Sequence, residues 1–205
     1  MSYAERTKRP PRTLTDREVK KVLGVMGKAK AGFRDRVIVS LALGCGLRQS
    51  EIVALTIDDV AKPDGRTPKR IIQLKVFKRS AAGADPSDHR VHVPDSTYYL
   101  LEKYLQSIKA WEFYRETALF TSRQEMKLST RQVRRVFRIW QGRAGFDQLY
   151  NFHALRHTAI SGVRRKTGDI RLAQRFARHA NIATTVRYDH VSDEEVAAAV
   201  KDIIA

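Results

Sequence analysis

The chain has 205 residues, 42% of them hydrophobic, which is enough to build a core and excludes a wholly disordered polymer. Lys and Arg number 39 against 22 Asp and Glu, and the resulting +17 repels itself unless a polyanion neutralises it, so nucleic acid is the expected partner ahead of an anionic membrane, for which no amphipathic anchor stands out, and a merely soluble basic surface is the alternative. The single cysteine excludes an intramolecular disulfide, and no run approaches the roughly 18 apolar residues of a membrane span or resembles a signal peptide, so a soluble, intracellular protein is expected.

Residues 1–12 are polar and basic, contain Pro10 and Pro11, and read as a flexible arm. A helix starts at Thr15, where Glu18 three residues on gives a capping-box pattern. Val19, Val22, Leu23 and Met26 form its apolar face, and Gly32 breaks it. A second helix spans about Arg34 to Leu43. Cys45 follows in an apolar run, with no cation or base placed beside it, and is expected to be a buried, inert thiol. Gly44 and Gly46 interrupt the pattern before a helix through residues 50–55. Pro63, Gly65 and Pro68 mark a turn. Residues 70–77 and 89–94 read as strands of a β-hairpin whose long polar tip spans 80–88. A helix follows near 96–110, then a short apolar piece at 118–120, then a basic helix from about Ser129 to Arg143. From His153 onward several helices are separated at Gly168 and near His179–Asn181. The last, about 192–204, has Ser192 as its cap and a stripe of Val196, Val200, Ile203 and Ile204. The expected fold is mainly α with a small antiparallel β-sheet (α+β), one domain over 13–205.

Three polar constellations interrupt these apolar patterns. Arg48 and Glu51 stand three apart on one helix face, so that a partly buried arginine has a carboxylate partner; a purely structural pair has the same signature. His153, Arg156 and His157 lie in FHALRHT. An imidazole can move protons, and a guanidinium fork suits phosphate oxygens. His153 and His157 have metal-ligand spacing, but Ala154 stands where a zinc protease needs Glu and no cysteine cluster helps, so no metal and no cofactor is expected. The third is RHANIATTVRYDH, in which His179 precedes Tyr188 by nine residues and Asn181 and Thr184 can cap a short helix between them. A phenol is a poor nucleophile unless neighbouring cations favour its developing charge.

The joint order of these boxes resembles the tyrosine recombinase (phage integrase) family. GLRQSEIVAL is similar to its G-L-R-x-S-E-[LI] box, FHALRHTAIS to H-x-L-R-H-[ST], and HANIATTVRYDH to G-H-x-x-I-x-T-T-x-x-Y-x-H, over about residues 13–203. The resemblance implies site-specific cleavage and rejoining of double-stranded DNA through a 3′-phosphotyrosyl intermediate at Tyr188. Arg48 and Arg156 would clamp the scissile phosphate and His179 would donate to it. His153 would transfer protons, as a base toward Tyr188, and Glu51 would orient the first arginine helix. A hairpin lysine would protonate the leaving 5′-oxygen: Lys78 fits best, Lys75 second. Rejoining would need neither ATP nor metal. A type IB topoisomerase and a catalytically silent DNA-binding regulator are the alternatives.

Three departures stand out. Arg178 replaces the usual glycine before His179, which alters the backbone or adds a phosphate contact. The hairpin tip is long and contains Asp85, Pro86 and Asp88. Only about a dozen residues precede the catalytic domain where the family has a DNA-clamping domain, so the chain is either an excised fragment or a short member similar to the fimbrial-inversion recombinases. DNA held on one face alone would bind weakly and with strong salt dependence, unless an accessory DNA-binding protein supplies the clamp. On the basic helix, Arg131, Arg134, Arg135 and Arg138 are DNA-contact candidates or a solvated face. The tail helix 192–204 would dock on a neighbouring subunit in a tetramer on DNA, or pack in cis. The resemblance places the protein in the cytoplasm, on the nucleoid.

Overall fold

The structure is a computed structural model that describes residues 11–27, 32–75, 89–114, 116–122 and 124–188. The expected hairpin tip, Lys78 and the 192–204 helix lie outside the described residues.

Helix α1 (Asp16–Gly27) begins as its sequence dictates. The Thr15 backbone N–H donates to the Glu18 carboxylate at 2.8 Å, and the Glu18 N–H returns to the Thr15 hydroxyl at 3.3 Å. Gly32 does not interrupt this helix; it opens the next, α2 (Gly32–Gly44). Close packing requires glycine at this position, since a Cβ on Gly32 would lie 2.3 Å from the Met26 carbonyl and 3.0 Å from the Trp140 ring. Apolar almost all round, α2 runs through the core and contacts α1, the short helix α3 (Gln49–Ala54), α5 (Asp95–Ser107), α6 (Thr130–Arg143) and α7 (His153–Thr167).

Between α3 and α5 lie a single turn, α4 (Ile57–Val60), and two short strands, β1 (Ile71–Gln73) and β2 (Arg90–His92). They pair antiparallel with Ile72 opposite Val91, both buried, while their neighbours face outward, a strict period of two. Helix α6 is capped by Ser129, whose hydroxyl accepts from the Gln132 N–H at 3.2 Å while Gln132 reaches back to the Ser129 N–H at 2.8 Å. Val133, Phe137 and Trp140 are buried; Arg131, Arg134, Arg135 and Arg138 are all exposed on the other face. The Trp140 indole donates to Asp35 at 2.8 Å, which fastens α6 to α2.

Helix α7 ends at Gly168 in the left-handed region (φ 68°), followed by α8 (Ile170–Ala177) and a single turn, α9 (Ala183–Val186). A small second cluster of Ile160, Ala173, Ala177 and Tyr188, flanked by Val163 and Phe176, joins these elements. Among the described residues no helix is long and apolar enough to cross a membrane.

Candidate active site

The loop between α2 and α3 supplies the first arginine. Arg48 is the N-cap of α3, and Glu51 at the third helical position turns back on it. The Glu51 carboxylate accepts from the Arg48 backbone N–H at 2.6 Å and from its guanidinium at 2.7 Å. The Arg48 side chain keeps 38% of its surface exposed, whereas that of Glu51 keeps 8%. The pair therefore presents one cation outward from an anchored carboxylate.

Arg156, on α7, is 2% exposed. Its two terminal nitrogens donate to the carbonyls of Gly46 and Ala177, which joins the α2–α3 loop to the end of α8. Gly46 makes this approach possible. It sits at φ +60°, and a Cβ there would lie 2.8 Å from the Phe176 ring. A guanidinium has five N–H groups, so two backbone bonds leave donors for a further acceptor. Burial first, then Arg48 and Arg178, pushes Arg156 down to about 9, and it stays charged at neutral pH.

Arg178 ends α8 in the left-handed region, φ 53° and ψ 48°. The backbone therefore takes a conformation that suits glycine, and the side chain turns inward. Its guanidinium, 5% exposed, donates to the second oxygen of Glu51 at 2.8 Å. Burial opposes ionisation of Glu51, but Arg178, the Arg48 N–H and the Arg48 guanidinium outweigh it and hold the carboxyl below its ordinary range. Glu51 thus ties Arg48 to the segment that carries His179 and Tyr188. Arg178→Gly should relieve about 1 kcal/mol of backbone strain but remove a buried ion-pair partner. A net loss of about 2 kcal/mol in chemical denaturation is expected, the ion pair outweighing the strain; an equally stable variant would show that the bridge contributes nothing.

Tyr188 lies at the end of α9, 8% exposed, its ring in the small apolar cluster. The Asn181 side chain accepts from the Ala183 N–H at 2.8 Å, and the Tyr188 N–H closes on the Thr185 carbonyl at 2.9 Å. The ring stacks on His179 with centroids 6.2 Å apart and planes at 28°. His179 Nδ1 is 3.0 Å from the buried Thr185 hydroxyl. The phenol is hydrogen-bonded to His157 Nδ1. His153, one turn earlier on α7, is exposed and meets His157 edge-on at 4.5 Å between centroids. Burial pushes the Tyr188 phenol above its ordinary 10, while Arg156, Arg187 and Arg48 pull the other way.

The structure therefore brings Arg48, Glu51, His153, Arg156, His179 and Tyr188 together, with Arg178 beneath them. Lys75 lies just past β1, 68% exposed, 3.7 Å from the Asp59 carboxylate. The sequence places His157 in the FHALRHT box and in a rejected metal pair, with no catalytic role of its own. The signal for more was its i, i+4 spacing from His153, which puts both rings on one helix face. Among the described residues no group of three or more His, Cys, Asp or Glu side chains is arranged to hold a metal. Cys45 is fully buried, and burial pushes its thiol up to about 12.

The imidazoles make the site acid-sensitive. Burial first, then the surrounding cations, pushes His157 and His179 down to about 4 and lowers His153 as well. The unfolded chain, with histidine near 6.5, then binds protons more readily than the folded one. Their stabilising contribution is whole above about 6.5 and is lost as pH falls through about 4. Glu51, its carboxyl lowered from 4.5, adds in the same direction lower down. The denaturation midpoint should fall steadily from pH 7 to pH 4, and a level or rising midpoint would contradict this.

Residues 12–195 match the phage integrase family, and the chain belongs to it. It is 28% identical over 194 residues to the tyrosine recombinase XerC of Proteus mirabilis, covering 91% of this chain and 57% of that protein. The crystal structure of the XerA recombinase has the same fold, with a TM-score of 0.71 at 27% identity over 93% of this chain and 62% of that one. The XerH site-specific recombinase bound to its difH substrate shares the fold at a TM-score of 0.72 and 22% identity, over 95% of this chain and 55% of that one. The chain thus spans a little over half the length of the XerC proteins it matches, 57%, 53% and 51% in three of them.

Proposed function

We propose that this chain carries the catalytic domain of a tyrosine site-specific DNA recombinase, within residues 13–205. One observation carries the reading. Three guanidiniums, Arg48, Arg156 and Arg178, gather around one carboxylate, Glu51, which pairs with Arg48 and Arg178 while Arg156 is held by backbone carbonyls, beside the buried Tyr188. That excess of buried positive charge calls for an anion, and a DNA phosphodiester supplies one next to a nucleophile. The match of residues 12–195 to the phage integrase family supports the same reading.

In this mechanism Arg48 and Arg156 hold the two non-bridging oxygens of the scissile phosphate and stabilise the pentavalent transition state. Tyr188 Oη attacks phosphorus, the bond to the 5′-oxygen breaks, and a 3′-phosphotyrosyl link remains. With Nδ1 of His179 accepting the Thr185 hydroxyl, its Nε2–H is left to donate to the phosphate. A hairpin lysine, Lys78 ahead of Lys75, protonates the 5′-oxygen. His153 borders the phosphate site at the mouth of α7. Arg131, Arg134, Arg135 and Arg138 position the DNA backbone. Arg178 acts through Glu51 and not on DNA. Residues 192–204 link subunits into a tetramer on two sites, and the protein works on the nucleoid, with or without an accessory clamp.

The test is strand exchange between two labelled nicked duplexes taken from DNA flanking the gene. A denaturant-resistant protein–DNA band and joined recombinant strands are expected. Relaxation of a supercoiled plasmid with no exchange between duplexes would favour a topoisomerase, and binding without any covalent band a silent regulator.

A further inference from the structure

We infer that His157, rather than His153, accepts the proton of Tyr188 as the phenol attacks DNA; this rests on the recombinase reading above. Three imidazoles surround the site, and their contacts differ. His157 Nδ1 is the nitrogen hydrogen-bonded to Tyr188 Oη. His179 lies parallel to the phenol ring and has its Nδ1 on Thr185. His153 is exposed and meets His157, not the phenol: the ring neighbours of Tyr188 among the described residues are His157 and His179. The contact is held from both sides. The Tyr188 ring is seated against Ile160, Ala173 and Ala177, and His157 stands on the middle of α7, one residue after the buried Arg156.

The chemistry follows from this geometry. A buried phenol does not ionise at neutral pH, so its proton must leave as the new bond forms. Neutral His157 offers a lone pair at Nδ1. The Oη–P bond forms, the P–O5′ bond breaks, the phenol proton moves to Nδ1, and the 5′-oxygen takes a proton from the hairpin lysine. In rejoining, a 5′-hydroxyl attacks phosphorus and gives its proton back to the hairpin lysine, the P–Oη bond breaks, and the imidazolium returns its proton to Oη. The groups facing His157 are His153 and Arg156 from its own helix, Arg187 and Tyr188 from the end of α9, and His179 from the loop before it. The cations among them disfavour imidazolium in the free protein. A phosphate bound among the arginines offsets them, so the base gains strength when DNA is in place.

The experiment uses the full chain and a nicked duplex selected from a randomised pool by wild-type covalent trapping. His157→Gln and His157→Ala are compared with His153→Gln, each with natural tyrosine and with 2,3,5-trifluorotyrosine at position 188, whose phenol ionises near neutral pH. Loss of His157 should slow covalent attachment about 10²–10³-fold, as expected for a lost general base. The fluorinated phenol should restore most of that rate, and should not restore His153→Gln. In the unmutated protein the rate should level off above the titration of an imidazole. A wild-type rate that climbs tenfold per pH unit toward the phenol's own ionisation would overturn the assignment. So would a His157 variant that attaches as fast as wild type, or one that fluorination fails to restore. Wild type that forms no covalent adduct with any duplex of the pool would overturn the recombinase reading itself, and this inference with it.

Discussion

Tyr188→Phe should remove covalent attachment to DNA entirely and leave the domain folded, with DNA binding close to wild type. The ring does the packing: it fills the cluster of Ile160, Ala173 and Ala177 at 8% exposure, and phenylalanine keeps that contact. The lost hydroxyl gives up one hydrogen bond, to His157, which is only half-buried and can take water instead. The stability change should stay within about 1 kcal/mol. Denaturing gels read the covalent band and gel shift reads binding on the same samples. Unchanged covalent yield in the variant would show that another residue is the nucleophile.

The largest combined effect belongs to Arg156. Arg156→Ala strands the carbonyls of Gly46 and Ala177 in a buried place and leaves a cavity where a 2% exposed side chain stood. Each stranded carbonyl costs about 1–3 kcal/mol, so a loss of about 3–5 kcal/mol is expected even after repulsion with Arg48 and Arg178 is relieved. Covalent yield, measured where the variant is still folded, should fall by at least about 10²-fold through lost phosphate stabilisation. Arg156→Lys keeps the charge but cannot fork between two carbonyls, so its stability should resemble that of Ala more than wild type. Denaturant titration combined with the trapping assay checks both. A lysine variant as stable as wild type would mean the backbone bridge carries no weight.

These two cases show which parts of the molecule were legible in the sequence. Local signals were. Thr15 with Glu18 three residues on, the apolar face of Val19, Val22, Leu23 and Met26, and the two runs flanking a polar tip all specify structure through near neighbours, and α1 and the antiparallel pair formed within the ranges they pointed to. The Arg48–Glu51 pair was legible for the same reason. Gly32 was misread as a terminator because its role comes from Met26 and Trp140 crowding its α-carbon, which no local pattern records. The partners of the candidate catalytic side chains were equally hidden. Arg178 reaches Glu51 across 127 residues of chain, Arg156 reaches Gly46 across 110, and His157 reaches Tyr188 across 31. The sequence assigned Arg178 to the backbone or to phosphate. It weighed His157 as half of a metal pair, expected no metal, and gave it no part in catalysis. Both readings considered what the side chains could bind and lacked the tertiary neighbour that binds them.

The central claim, that Tyr188 attacks DNA, is tested most directly by mass spectrometry of a trapped complex. After nuclease trimming and trypsin, the peptide that begins at Tyr188, just after Arg187, and ends at Lys201 should carry the mass of a 3′-linked nucleotide phosphate. The same peptide should be unmodified in Tyr188→Phe. A nucleotide on any other peptide, or a link through a 5′-phosphate, would contradict the account.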